Sequence, residues 1–434
     1  MSQEQRTPDV FSAFRQFLAL ERDVLVLSVA MLAFSLSFQM TNRYIPQYLS
    51  VLGAGAGIIG LYGSVGNGIS AAYPYPGGAF SDRIGSRIAL TLFAVLSTIG
   101  FGIWLLTPEL GTLAIGGVDI PVWVWIFVGL LFSQSWKSFG LGATFAIIKQ
   151  DVTPDRLATG FASTETFRRI GFLLGPTLAA GVLALSAGFV TGFQLILVMA
   201  VVLAAAATVV QHVLYDASND TLGKQFEGTS QLIADLRDLP EELKPLLIGD
   251  IFVRFGNGMV YAFFVIVVVQ FLEVSATLPV VGRLAPEALF GVFLGVEMTV
   301  ALLSMIPVSK LAERVGLKPV IGLGYLVYAT FPMLLITAPA NAVVVGGLFA
   351  FSGLRFAGLP AHKAMIVGPA EQKTGGRVTG AYYLLRNTIV IPSAAFGGWL
   401  YGDNPTLAFG LATVIGLIGT GYYLVFGTEF DAYT

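Results

Sequence analysis

The sequence predicts an all-α integral membrane protein with twelve transmembrane helices in two pseudo-symmetric six-helix bundles. Three observations carry this prediction. The chain is 55% hydrophobic and only 12% charged, with a mean hydropathy of +0.79, whereas soluble domains carry about 25% charged residues. Its apolar residues gather into runs long enough to cross a bilayer. The second half of the chain repeats features of the first, at offsets of 231 and 218 residues.

A helix needs about 20 apolar residues to cross about 30 Å of hydrocarbon. Twelve runs reach that length, at 24–49, 57–80, 86–107, 122–148, 158–186, 189–215, 246–272, 288–308, 317–338, 341–369, 376–400 and 405–426; they are numbered here as spans one to twelve. A closed barrel would need alternating segments of about ten residues, and these runs do not alternate. The longest polar interval divides the chain into residues 1–215, a linker at 216–245, and residues 246–434. Two segments outside the spans have helical apolar spacing. Val10, Phe11, Phe14, Phe17 and Leu18 predict an interfacial helix, and Leu232, Ile233, Leu236 and Leu239 among Asp235, Asp238, Glu241 and Glu242 predict an anchoring helix in the linker. The first span is longer than a signal-peptide core, so no cleavage is expected.

Orientation follows from lysine and arginine. With the N-terminus cytoplasmic, fifteen of the 24 fall in cytoplasmic segments and one, Arg283, in an outer loop. Both termini are therefore expected inside a cell membrane, in a protein expected to be monomeric. The net charge of −2 points away from nucleic acid, and the absence of cysteine excludes disulfides and thiolate metal sites. No metal-ligand cluster or nucleophile–base constellation stands out. Neither a cofactor, a metal nor a catalytic residue is expected; the expected partners are the lipid bilayer and a small-molecule substrate.

The repeat has a register. A shift of 231 places Gly60 on Gly291, Pro76 on Pro307, Asp82 on Glu313, Arg83 on Arg314 and Gly85 on Gly316. A shift of 218 places Lys137 on Arg355, Gly140 on Gly358 and Arg168 on Arg386. Internal repeats of this kind organise many transporters.

Between spans two and three the chain reads Gly78-Ala79-Phe80-Ser81-Asp82-Arg83-Ile84-Gly85-Ser86-Arg87. This resembles the G-x-L-A-D-R-x-G-R-K signature of the major facilitator superfamily, and a degenerate copy at 310–318 falls between spans eight and nine, where that family keeps it. The resemblance covers essentially the whole chain and implies the major facilitator fold. It makes Gly78, Asp82, Arg83, Gly85 and Arg87, with Glu313 and Arg314 of the copy, a gate whose acid latches the cytoplasmic side in the outward-facing state. On span five, Gly171, Gly175 and Pro176 resemble the family's antiporter motif, with Ala179 and Ala180 where glycines are usual. Plain close packing of helices explains the same small residues.

Eight cationic residues lie within or at the edges of spans. A lysine or arginine at the bilayer centre costs about 2.5–3.5 kcal/mol on insertion scales, so each needs a cavity or a partner. On span four, Lys137 shares a face with Ser133, Gly140 and Thr144; on span ten, Arg355 shares one with Ser352, Leu359 and His362. Span one offers Gln39, Asn42 and Arg43. The resemblance implies that spans one, four, seven and ten line a central cavity. Arg43, Lys137, Arg355, Gln39, Asn42 and His362 are thus the candidate substrate-binding residues. Asp250 and Arg254 stand four apart and predict a self-neutralising pair. Glu165, Arg168, Arg169, Arg386 and Asn387 are expected near the cytoplasmic face in gate ion pairs. Glu297 has no cation within a helical turn; it is either a proton-coupling carboxylate or one arm of an ion pair between helices.

The expected function is secondary active transport of a small solute, anionic by the central cations, by alternating access, with H+ a candidate coupling ion. Proton-coupled efflux of drugs or other amphipathic compounds is the alternative within transport. A non-transporting sensor or a membrane-embedded enzyme are the rivals from other classes.

Overall fold

A computed structural model describes residues 22–73, 80, 83–140, 157–216, 239–278, 282–367 and 375–429. Gly78, Asp82 and both amphipathic segments, apart from the last residues of the linker, lie outside the described residues.

Helix occupies part of each of the twelve apolar runs. Nine helices among the described residues are long and apolar enough to cross a membrane. Spans two, four and eleven are not among them, for visible reasons. The described part of span two is the 17-residue helix Ala56–Ala72, and that of span four is Val124–Ser133 followed by a π-turn at Trp136–Gly140. Span eleven is split into Gly375–Val390 and Ser393–Asp403 around Pro392, whose ring cannot donate a backbone hydrogen bond.

The interruptions follow the repeat. Span one breaks between Arg22–Thr41 and Ile45–Val51, with Pro46 in the first turn of the second piece. Span seven runs Lys244–Val260 and tightens into a 3-10 turn at Tyr261–Phe263. Span four departs from α-geometry at Trp136–Gly140 and span ten, after Ala342–Gly353, at Leu354–Phe356. The offset of 218 carries the start of one break onto the start of the other, and Lys137 onto Arg355. Local departures from α-geometry are frequent at functional sites, and broken helices build transporter sites near the midplane.

The turns after spans two and eight also correspond. Gly85 has φ 89° and ψ 147°, Gly316 φ 92° and ψ 168°, a region that only glycine occupies without strain. Each glycine ends one helix and admits the next, Ser86–Leu110 and Leu317–Ile336. Two short hairpins were not legible in the sequence: Leu113–Ile115 with Val118–Ile120, and Ala276–Leu278 with Gly282–Leu284. The first closes on Gly116 and Gly117, both with positive φ, as a two-residue hairpin loop requires.

The two halves of the chain meet at the end of the bundle far from Arg22 and Phe426. Tyr44 donates its hydroxyl to the Glu287 carbonyl at 3.2 Å, and Gln270 Nε2 donates to Gln47 Oε1 at 2.8 Å. Span two lies so close to span eleven that a Cβ on Gly60 would strike the Ala394 carbonyl and sit 2.8 Å from Gly398 Cα. Span five crosses span eight in the same way: a Cβ on Gly291 would meet the Pro176 carbonyl at 2.7 Å. Small residues permit such approach where lipid supplies no hydrophobic drive. Gly60→Val is therefore expected to hold the halves apart at this end. The chain has no cysteine, so a single Asn42→Cys reporter can read the change, as severalfold faster labelling by an impermeant maleimide from that side.

Candidate functional site

The broken spans surround two adjoining lobes of a cavity. The first, about 240 Å³, is lined by Gln39, Asn42 and Arg43 from span one, Asn67 from span two and Gln134 and Lys137 from span four, among others. The second, about 320 Å³, is lined by Arg254 and Asn257 from span seven, Tyr328 from span nine, Arg355 from span ten, and Arg386 and Asn387 from span eleven. Gly63, Asn67, Tyr261 and Ala262 line both. These volumes suit a small-molecule site.

Local structure explains how the first-lobe cations reach the cavity. Arg43 sits in the break of span one, and its guanidinium lies over the Tyr261 ring at 4.3 Å, so it crosses from one half to the other. Lys137 sits in the π-turn of span four, open to the cavity. Its Nζ lies 4.2 Å from the centre of the Phe38 ring and donates to Gln134 Oε1 at 3.4 Å. Among the described residues, no carboxylate forms an ion pair with Arg43 or Lys137. Asn42 Oδ1 accepts from the Tyr62 hydroxyl at 3.3 Å.

The second lobe is built differently, because its cations have carboxylates behind them. Asp250 is fully buried and receives Arg254 Nε at 3.2 Å on one oxygen and Arg386 Nη1 at 3.1 Å on the other. The Tyr382 hydroxyl donates to that second oxygen at 3.2 Å, and His362 Nε2 lies 3.3 Å from it. Arg355 Nη2 pairs with Glu297 Oε1 at 2.7 Å, and Ser352 Oγ donates to the same oxygen at 2.5 Å. Tyr328 joins the two clusters: its hydroxyl accepts from Arg254 Nη1 at 3.0 Å, while Arg254 and Arg355 stand 4.8 Å and 5.0 Å from its ring centre.

Of the residues singled out in the sequence, Gln39, Asn42, Arg43 and Lys137 come together in the first lobe and Arg355 lines the second. His362 is buried behind the second lobe, against Asp250 and Tyr382. Glu297 has a partner after all, on span ten rather than its own helix. Arg386 and Asn387 were expected at the cytoplasmic gate, but they line the cavity with Arg254. Their depth was readable, since Arg386 lies about three turns into the helix from Gly375.

The remaining motif residues lie elsewhere. A Cβ on Gly171 would meet Ser35 Oγ at 2.7 Å and one on Gly175 would meet Gln39 Cβ at 2.7 Å, so both seat span five on span one beside the cavity wall. Arg83, Glu313 and Arg314 are exposed. Arg87 Nε donates to the His212 carbonyl at 2.8 Å, tying the turn at Gly85 to the end of span six. In the second copy Glu429 does comparable work, accepting the amides of Leu317 at 2.5 Å and Lys318 at 3.0 Å. A carboxylate there satisfies donors that a helix N-terminus leaves free.

No family model matches the chain. An uncharacterized MFS-type transporter of Methanocaldococcus jannaschii is 24% identical over 412 residues, covering 94% of this chain and 95% of that one. The chain is therefore similar to an MFS-type transporter along nearly its whole length. Solved transporter structures superpose over nearly its full length. A POT family transporter in complex with 5-aminolevulinic acid has a TM-score of 0.73 at 14% identity, covering 97% of each chain. The nucleoside transporter NupG has a TM-score of 0.67 at 14% identity, covering 94% of this chain and 98% of its own. These relatives are transporters, not enzymes. This chain shares their fold, and nine helices among its described residues are long and apolar enough to cross a membrane.

Proposed function

We propose that this protein is a secondary active transporter that moves a small anionic solute across the cell membrane by alternating access. One observation carries the reading. Among the described residues, five cationic side chains, Arg43, Lys137, Arg254, Arg355 and Arg386, line the two lobes, and no carboxylate does. Against the buried Asp250 and Glu297 this leaves an excess of three positive charges around the cavity. Charged side chains inside a membrane mark substrate pathways, and a cavity lined by one sign of charge concentrates solutes of the other. In this reading the end far from Arg22 and Phe426, where the halves meet, is the outer side and is closed.

Glu297 is the proton site in this reading. It is buried and bound to cavity-lining Arg355, so taking up a proton and releasing Arg355 to the cavity are a single event. The test is flux into proteoliposomes of an anionic solute and its neutral analogue, with and without a pH gradient. The anion is expected to cross saturably and the neutral analogue not. Glu297→Gln is expected to keep binding but lose its response to the gradient. Equal flux of the two solutes would refute the anion reading, and a Glu297→Gln protein that still follows the gradient would remove Glu297 from coupling.

A further inference from the structure

The cations of the two lobes are not equivalent. In the second lobe each arginine already faces an acid: Arg254 and Arg386 share Asp250, and Arg355 has Glu297. In the first lobe Arg43 and Lys137 have, among the described residues, only ring faces and an amide oxygen. A cation–π contact contributes about 0.5–2 kcal/mol, a poor substitute for a carboxylate. The charge that balances the first lobe therefore has to come from a ligand. The second lobe has its charges largely compensated and offers hydrogen-bonding groups instead. Asn257 Oδ1 is buried there without a hydrogen-bond partner among the described residues, as are Arg355 Nε and Nη1. Tyr328 and Phe356 present rings to the same lobe, and Tyr261 and Asn67 connect it to the first.

Resting on the anion reading above, we infer that the substrate is an organic anion with one charged head and an uncharged polar body, not an inorganic ion. Its head sits between Arg43 and Lys137. Its body passes Tyr261 into the second lobe, where a hydroxyl or amide N–H of the solute donates to Asn257 Oδ1 and ring faces meet Tyr328. A bare inorganic anion would fill only part of the first lobe and leave Asn257 without a partner. Buried acceptors left unpaired are costly, so the two-lobed solute is the one the cavity favours.

The test is ligand-induced thermal stabilisation of the detergent-solubilised full-length chain with three probes. Nitrophenyl glucuronide has a carboxylate head, a hydroxylated ring and an aromatic end; nitrophenyl glucoside is its neutral counterpart; inorganic phosphate is an anion without a body. The glucuronide is expected to raise the melting temperature in a saturable way, with the glucoside and phosphate inert at the same concentrations. Lys137→Gln is expected to weaken the glucuronide at least tenfold and Lys137→Arg to restore it, which separates charge from folding. Asn257→Ala is expected to weaken the glucuronide severalfold. If phosphate stabilises as well as the glucuronide and Asn257→Ala changes nothing, the substrate class is wrong while the anion reading stands. If no probe stabilises, this inference falls; if the glucoside stabilises as well as the glucuronide, the anion reading falls with it.

Discussion

Asp250→Ala is expected to lower stability by about 3–5 kcal/mol, the loss seen when one partner of a buried ion pair is removed. Asp250 is the counter-charge for both Arg254 and Arg386 and accepts the Tyr382 hydroxyl. Its loss strands two guanidinium groups that are only partly exposed, with side chains 25% and 16% accessible. Because those groups line the cavity, water offsets part of the penalty, which keeps the expectation inside that range. The damage is also structural: Asp250 on span seven ties it to span eleven through Arg386 and Tyr382 and, beside His362, to span ten. Thermal denaturation in detergent checks it, with Asp250→Asn as the control that keeps the shape and loses the charge. Asn should fall between wild type and Ala. If Asp250→Ala melts with wild type, the cluster does not hold these spans together.

Much of this architecture was legible because a bilayer imposes simple rules. Apolar length marks the helical runs, and the 218-residue offset matches Lys137 to Arg355, both of which stand at breaks in their helices. The pairing of charges was not legible. Helical periodicity reports neighbours three and four residues away, so it found Asp250 with Arg254 but could not find Glu297 with Arg355 or Asp250 with Arg386. Those contacts depend on how each helix is rotated against its neighbour, which many small packing terms decide together. The close approach of Gly60 to Gly398 shows the difficulty. Either glycine alone looks like any other small residue in a span, and only the pair sets the distance between the halves. The hairpins escaped for another reason, since three-residue strands are too short to show a period.

The contrast between paired and unpaired cations also sets the expectation for Lys137. Lys137→Glu is expected to reduce kcat/KM for the anionic solute by roughly 30- to 1,000-fold, equivalent to about 2–4 kcal/mol at 1.4 kcal/mol per factor of ten. The substitution both removes the cation that faces the ligand's charge and supplies Arg43 with a carboxylate in the same lobe. The first lobe then changes from two unbalanced positive charges to an internally neutral pair, as the second lobe already has with Glu297 and Arg355. Stability should stay the same or rise, because a cation that met only ring faces gains an acid. Flux and thermal denaturation on the same preparation check both halves of the expectation. A variant that transports normally would show that the first lobe does not hold the ligand's charge. A variant lost to misfolding would show that Lys137 serves packing, and Arg43→Gln, which adds no acid, would then have to carry the flux measurement. The opposite movement of activity and stability distinguishes a ligand-facing cation from a structural one, since replacing a structural cation lowers both.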